Sequence, residues 1–320
     1  MAEASVSADP PARSRILPFA IGIGGGVLGI LPWVVGGGVL PLQNLWAAAT
    51  LPEAMPFVLL PLSQYLAMLL FSLVLLGGVF AGVAVHVVAR RRAIAVWPAA
   101  VGVALVHLIA MVQSFGVLAG GLGLGGDRRS MLYFAGMLGG AIAAALLAQL
   151  GLWMTSRRSV GVAALGVALA AVPFGSWVGP WFVAFTGEVT PPLFLPELLR
   201  WVPSIVVGAA LVWCGIRPAR RIAVWVVGLL SLWILPALFT AIQYGLGMRV
   251  LDGDVAEMAR VSVGLFPMVL AEVWLPVVVA LAIAVVGIWA GLGTNVVIFL
   301  AGLQGIPDTI MEAADLDGAG

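Results

Sequence analysis

The chain has 320 residues, of which 62% are hydrophobic and 9% are charged, and its formal net charge is +1. A soluble core does not need that much apolar surface, so lipid must be the solvent for much of this protein. The composition therefore excludes an ordinary soluble domain, and we expect no nucleic-acid partner.

All fifteen basic residues are arginine, and the sequence contains no lysine. A Walker A loop needs a Gly-Lys pair and a Schiff base needs a lysine amine, so the chain cannot be its own P-loop ATPase or a Schiff-base enzyme. The single Cys214 excludes an internal disulfide and any CxxC metal or redox site. We expect Cys214 to be a packed thiol, because it lies in an apolar run.

Repeated continuous apolar runs, each about 20 residues or longer, indicate membrane-spanning helices. The predicted fold class is therefore an all-α, polytopic transmembrane bundle of about eight spans in the cell membrane. Residues 1–15 form a polar tail that we expect to be disordered in the cytoplasm, before a first helix that is retained. The predicted spans are 16–40, 61–89, 93–120, 131–154, 160–185, 201–216, 221–246 and a last hydrophobic stretch, 262–304.

The last stretch is too long for one straight helix across a hydrocarbon core of about 30 Å. Pro267 and Pro276 lie in its first half and are expected to break it. We predict an interfacial or re-entrant segment at 262–275, followed by one long helix from Pro276 to Gln304. Two full spans are the alternative.

Arginine placement predicts the orientation, because short cytoplasmic loops carry the excess of basic residues. Arginines precede the first span and follow the second, fourth and sixth spans, and these positions share one side if the N-terminus is cytoplasmic. The exceptions are Arg128, Arg129 and the mixed-charge loop 247–261. Eight crossings then leave residues 305–320 in the cytoplasm.

Glycines and tryptophans have helix-packing and interfacial interpretations. The Gly-rich stretch 22–26 and the glycines at 136, 139 and 140 would let helices approach closely. Seven tryptophans near predicted span ends fit interfacial belts: Trp33, Trp46, Trp97, Trp153, Trp177, Trp181 and Trp201.

Two polar loops suggest chemistry but have simpler explanations. Residues 121–126 contain GxGxxG, but no βαβ unit surrounds them, so we expect a flexible loop rather than a dinucleotide site. The Pro-rich segment with Glu188, Glu197 and Arg200 is expected to be an external connection, with contact to a partner or substrate as the alternative.

Ionisable groups at membrane depth are functional candidates because they are costly there. His107 lies in the middle of a span, where the alternatives are a packed, hydrogen-bonded histidine and a proton relay. Glu272 lies between Pro267 and Pro276, where it either lines a polar path, with a bound cation as one option, or sits at headgroup level. No metal constellation, cofactor site or nucleophile–base pair is present in the pattern, so we expect neither a cofactor nor an enzyme.

The segment after the last span has the pattern of a short amphipathic helix. Gly305 is expected to end the membrane helix, and Pro307 and Asp308 suit the start of a new one. Helical periodicity places Asp308, Glu312 and Asp315 on one face. Ile306, Ile310, Ala313 and Ala314 lie on the opposite face, and Gly318 is expected to end the helix. Such a helix can dock in the groove of a partner that has a basic rim.

The sequence from Trp289 to Gly320, WAGLGTNVVIFLAGLQGIPDTIMEAADLDGAG, resembles the EAA-loop region of binding-protein-dependent ABC transporter permeases of the sugar-importer class. The resemblance implies that Glu312, Ala313, Ala314 and Gly318 dock onto a cytoplasmic ABC ATPase subunit. It further implies a second permease subunit, an extracytoplasmic solute-binding protein and a carbohydrate-type solute.

Four regions follow from this interpretation: the tail 1–15, a multi-span region 16–261, the Pro-broken segment and last membrane helix 262–304, and a coupling helix 305–320. The family's loop continues into an Ile-x-Leu-Pro element and further spans, so we expect a partial permease subunit. The alternative is a polytopic membrane protein or secondary carrier with no ATPase partner.

Overall fold

The computed structural model describes residues 15–41, 45–124, 127–187, 192–248 and 254–318. Twelve α-helices form within these ranges, and their only extended pairing is one isolated bridge between Val39 and Phe57. The helices are α1 (Ile16–Val35), α2 (Ala67–Ala89), α3 (Trp97–Leu122), α4 (Arg128–Thr155), α5 (Val160–Leu169), α6 (Ala171–Thr186), α7 (Phe194–Leu199), α8 (Val202–Cys214), α9 (Ile222–Gly247), α10 (Val255–Glu272), α11 (Leu275–Gln304) and α12 (Asp308–Leu316).

The predicted all-α, polytopic helical bundle is confirmed. Within the described ranges, seven helical segments are long and apolar enough to cross a membrane. The pair α5 and α6, bent by 51° at its break, raises the number to eight if the pair counts as one span. These segments coincide with the predicted spans to within a few residues at most ends, because continuous apolar runs locate a span well.

Helix α1 lies against α2 and α3 through its glycines. A Cβ atom placed on Gly22 would lie 2.1 Å from the carbonyl oxygen of Ala99, and one on Gly29 would lie 2.5 Å from that of Leu73. Neither position has room for a side chain, so the backbones touch. The prediction of close helix contact at 22–26 therefore holds for Gly22, Gly25 and Gly26, whereas Gly24 faces open space.

Helices α2 and α4 are also in close backbone contact. Cβ atoms placed on Gly78 and Gly82 would lie 2.0 Å from the Ala148 carbonyl oxygen and 2.0 Å from Thr155 Oγ1. By contrast, nothing lies within 4 Å of a Cβ placed on Gly136, Gly139 or Gly140. These three glycines lie on a face of α4 that no described helix covers, so the contact predicted for them does not form within the described chain.

Helices α1, α2, α3 and α4 form one group, and the segment between α1 and α2 covers one end of it. Gln113 of α3 accepts a hydrogen bond from Leu59 N at 2.9 Å and donates one to the carbonyl of Phe57 at 3.0 Å. The neighbouring Ser114 hydroxyl accepts from Leu60 N at 2.9 Å. The polar residues that follow His107 along α3 therefore hold a loop in place.

A second core forms where α5, α6, α8, α9 and α11 meet, with Ala168, Val207, Leu211, Leu232 and Ala284 among its buried residues. Trp177 of α6 joins the two cores, because its indole N–H donates to the carbonyl of Gly29 in α1 at 2.9 Å. This tryptophan, one of the seven predicted for an interfacial belt, is half-buried against the first core, where its N–H needs a partner.

Helix α10 differs most from the sequence prediction. It begins at Val255, inside the predicted loop 247–261, because Asp254 caps it by accepting hydrogen bonds from Ala256 N (3.0 Å) and Glu257 N (3.1 Å). It continues through Pro267 to Glu272, so the break lies at residues 273–274 and not at Pro267. The predicted long helix from Pro276 matches α11, which has Pro276 in its first turn.

The loop with the GxGxxG pattern contains two helix ends. Gly123 stops α3 in a left-handed conformation (φ +57°), and Asp127 starts α4 by accepting hydrogen bonds from Arg129 N (3.2 Å) and Ser130 N (3.3 Å). The hydrogen bond from Arg129 N is the main reason why the pKa of Asp127 lies below its usual value. Gly125 and Gly126 lie outside the described residues.

Candidate functional site

The predicted terminal helix forms as α12, Asp308–Leu316. Gly305 ends α11, and its N–H donates to the Ala301 carbonyl at 3.1 Å. A single turn at 305–307 then leads into α12, where Ile310 N donates to the Pro307 carbonyl at 2.9 Å. Helix α12 therefore follows α11 with almost no intervening chain.

The C-terminal end of α12 also matches the sequence expectation. Asp317 N donates to the Ala313 carbonyl at 3.1 Å, and Gly318 adopts φ +73°. A left-handed residue immediately after a helix stops it, and glycine takes this conformation at no steric cost. Gly318 thus has a structural reason to be glycine, whether or not a partner binds next to it.

Most of the described side chains of α12 are exposed. Glu312 and Ala313 are exposed and Ala314 is half-buried, while Ile310 and Leu316 are 59% and 89% exposed. The side chains of Asp308 and Asp315, predicted for the acidic face, lie outside the described structure. The four predicted docking residues are therefore accessible, and an apolar surface lies beside them.

The second half of α11 leaves the bundle. Gly208 of α8 faces Ile283, and a Cβ placed on Gly287 would lie 2.5 Å from Val212, so α11 runs parallel to α8 along this stretch. From Trp289 onward every described side chain of α11 is exposed. The departure point coincides with the first residue of the permease-like segment.

A cleft of about 1090 Å³ lies between the ends of α2, α6, α8, α9 and the junction of α10 with α11. It lies at the end of the bundle that arginine placement predicts to be extracytoplasmic. One face of α9 forms its longest wall, with residues spaced three or four apart. The wall residues of α9 are Leu232, Pro236, Phe239, Thr240, Gln243, Tyr244 and Gly247.

Glu272, one of the two candidates for a polar pathway, lines this cleft together with Val273 and Pro276. The chain positions it there because α10 runs antiparallel to α9, with Trp233 Nε1 donating to the Leu270 carbonyl at 2.9 Å. Of the external segment predicted to be a connection, Arg200 also lines the cleft. Glu188 of that segment lies outside the described residues.

His107, the other pathway candidate, lies elsewhere. It is 2% exposed within the first core, beside Gly77 of α2, and it does not line the cleft. Neither of its ring nitrogens has a hydrogen-bond partner among the described residues. The structure therefore does not bring His107 and Glu272 into one pathway, and the histidine is packed without the expected hydrogen bond.

The second histidine, His86, has a hydrogen-bond partner at each ring nitrogen. Its Nδ1 donates to the Arg157 carbonyl at 2.8 Å, which leaves Nε2 to accept from the Arg90 guanidinium at 3.2 Å. Its ring also meets Trp213 of α8 edge-on at 5.4 Å. These contacts tie α2 to α8 and to the turn after α4 at the predicted cytoplasmic end.

Sequence reasoning missed most of the cleft. Tyr65, Ser176, Arg200 and Tyr244 come from four separate segments, and only the tertiary fold brings them to one wall. The signal that was available is the α9 stripe, where polar and aromatic residues recur at helical spacing in an otherwise apolar span. Among the residues that the structure describes, no group of three His, Cys, Asp or Glu side chains is placed to hold a metal ion.

Comparisons with protein-family models, with curated proteins and with solved structures find no match to this chain.

Proposed function

We propose that this chain is a membrane-spanning permease subunit of an ABC importer for a carbohydrate-type solute. In this proposal a separate cytoplasmic ATPase docks on the segment 305–320. The observation that carries it is α12, an accessible amphipathic helix that immediately follows the last long membrane helix. The permease-like sequence covers the same residues, from Trp289 onward.

The connection between α12 and the cleft supports a coupling role. Helix α11 has 30 residues, which corresponds to about 45 Å at 1.5 Å per residue. Its first turn, at Pro276, lines the cleft, and its last turn leads into α12. A rigid-body displacement of α12 by closure of the ATPase would therefore reach the cleft wall through one unbroken helix.

The proposal also gives partners to the exposed apolar surfaces. Phe299 is 73% exposed and Leu303 is 63% exposed, as expected if a second permease subunit covers this part of α11. An extracytoplasmic solute-binding protein would deliver solute at the open end of the cleft. Nucleotide binding and hydrolysis would belong to the ATPase, because the chain has no lysine for a Walker A loop.

Site-specific crosslinking tests the docking claim. A cysteine that carries a photocrosslinker is placed at Glu312 in a Cys214→Ala background, in native membranes, and the crosslinked protein is identified by mass spectrometry. We expect an ABC ATPase at this position and none at a matched probe on exposed Glu53. Glu312→Arg and Gly318→Pro should abolish co-purification of the ATPase, whereas Glu53→Arg should not. Intact association in both docking variants would refute the proposal.

The cleft also supports the alternative of a secondary carrier with no ATPase, because Glu272 faces it directly. The two functions differ in what the C-terminal segment does. Removal of residues 305–320, which follow the last membrane helix, would leave uptake by a secondary carrier unchanged, but it would abolish uptake that depends on ATP hydrolysis. Uptake into vesicles of the full chain and of the truncated chain, with and without internal ATP, separates them.

A further inference from the structure

Prolines frame the cleft in three different helices. Pro203, Pro236 and Pro276 all line it, and so do the residues four positions before them, Leu199, Leu232 and Glu272. A proline has no N–H, so it cannot donate to the carbonyl of the residue four positions earlier. Of these three prolines only Pro236 lies in a helix interior, so it leaves the Leu232 carbonyl of α9 without its usual helical donor. Leu199 and Glu272 are the last residues of α7 and α10, where helix-end carbonyls lack an intrahelical donor in any case. Such groups are tolerated at membrane depth only where they meet water or protein.

Two charged residues, Arg200 and Glu272, line the cleft, and only Arg200 has a partner among the described residues. Arg200 donates to Glu197 at 2.9 Å, and its guanidinium lies 4.7 Å from the centre of the Trp201 ring, so its charge is already compensated. Glu272 has no ion pair or hydrogen bond to its carboxylate within the described ranges. Among the described residues that line the cleft, Glu272 is therefore the charged group without a partner, and its carboxylate attracts a cation.

Hydroxyl groups and aromatic rings complete the lining. The hydroxyls of Ser176, Thr240 and Tyr244 make no hydrogen bond to any described residue, so they are available to a ligand. Gln243 is not available in the same way, because it accepts from Met68 N at 3.4 Å and donates to the Gln64 carbonyl at 3.0 Å. The ring of Phe239 adds an aromatic surface, which suits both a sugar face and a cation.

We infer that the cleft binds a small polyhydroxylated solute that carries a protonated amine, with the Glu272 carboxylate as its counter-charge. Hydroxyl groups of the solute would pair with the free side-chain hydroxyls and with the Leu232 carbonyl that Pro236 leaves without a donor, and its ring would lie against Phe239. The volume of about 1090 Å³ is ample for a monosaccharide-sized solute and leaves room for water. The inference rests on the proposed function for the transport of this solute, but binding itself needs no ATPase.

Glucosamine and glucose provide a matched test, because they differ only by an amine in place of one hydroxyl. Binding of each is measured by calorimetry on the purified chain in lipid nanodiscs, without ATPase, at a mildly acidic pH that keeps the amine protonated. We expect glucosamine to bind at least about tenfold more tightly than glucose, as a charge-assisted hydrogen bond would give. Glu272→Gln should remove this preference.

Two control variants define the outcome. Glu257→Gln, on the same helix but outside the cleft, should keep the preference, and thermal unfolding of each variant reports whether it folds. Glu312→Arg should also keep it, so a failure of ATPase docking is distinguishable from a failure of the site. Equal binding of the two sugars, no binding of either, or a preference that survives Glu272→Gln overturns the inference.

Discussion

At the scale of single residues, the two histidines show that the same residue type in two similar spans has opposite environments. Both ring nitrogens of His86 have partners, whereas His107 is buried with both nitrogens unpaired among the described residues. An unpaired buried polar group costs about 1–3 kcal/mol, whereas a satisfied one does not. Histidine at position 107 is therefore not explained by stability.

We expect His107→Leu to leave the free energy of unfolding unchanged or to raise it by about 1 kcal/mol, because an apolar side chain of similar size removes an unpaired polar group. His86→Leu should instead lower it by about 1–3 kcal/mol, since it strands the Arg157 carbonyl. Unfolding in detergent, followed by circular dichroism, measures both. A large loss of stability in His107→Leu would mean that the ring has a hydrogen-bond partner outside the described residues.

At this scale, sequence-based prediction succeeded where the local backbone preferences of glycine and proline determine where a helix begins or ends. Gly305 and Pro307 mark the α11–α12 junction and Gly318 follows the end of α12, and all three positions were predicted from local sequence because glycine and proline act on the backbone next to them. The environments of His107 and Glu272 were left as alternatives because they depend on helices that are distant in sequence. No local pattern shows that Glu272 faces a cleft shared with Tyr65 and Ser176.

At the scale of helices, glycine placement controls which pairs make close contact. Sequence reasoning identified Gly-rich faces in α1 and α4, but only the face of α1 has a partner against it. A small-residue stripe shows that a helix permits close approach. It does not show that a neighbour is present, and this explains why Gly136, Gly139 and Gly140 were misjudged.

Gly78→Ala should destabilise the protein by about 1–3 kcal/mol, because its Cβ would lie 2.0 Å from the Ala148 carbonyl oxygen and would push α2 from α4. The matched control is Gly139→Ala, in a position with open space, where the higher helix propensity of alanine should stabilise α4 by about 0.5–1 kcal/mol. Thermal unfolding of the two variants in the same detergent gives the comparison. Equal effects would show that α2 and α4 are not in backbone contact.

At the scale of the whole molecule, hydrophobic runs and arginine placement predicted the bundle, but they did not predict the course of residues 255–304. Helix α10 packs antiparallel to α9, and α11 runs parallel to α8. The two helices therefore run in the same direction, from the predicted outer end to the predicted inner end. Pro267 did not break α10, because neighbours in a membrane bundle can accommodate the backbone groups that a proline frees.

This arrangement predicts that Asp317 lies on the same side of the membrane as Arg158, and that Glu53 lies on the opposite side. Single cysteines at these three exposed positions, in a Cys214→Ala background, should react with a membrane-impermeant thiol reagent accordingly. Intact and inside-out vesicles give the two readouts. Reaction of the cysteines at 317 and 53 from the same side would mean an odd number of crossings, and α12 would then be unable to meet a cytoplasmic ATPase.

Pro236, inside α9, has a consequence for lipid. Acyl chains have nothing to offer a carbonyl oxygen that lacks its helical donor, so a lipid tail that entered the cleft beside α9 would strand the Leu232 carbonyl. Water and hydroxylated molecules satisfy this acceptor, whereas hydrocarbon does not. The kink-forming proline of α9 should therefore disfavour entry of lipid into the cleft even where no side chain closes it.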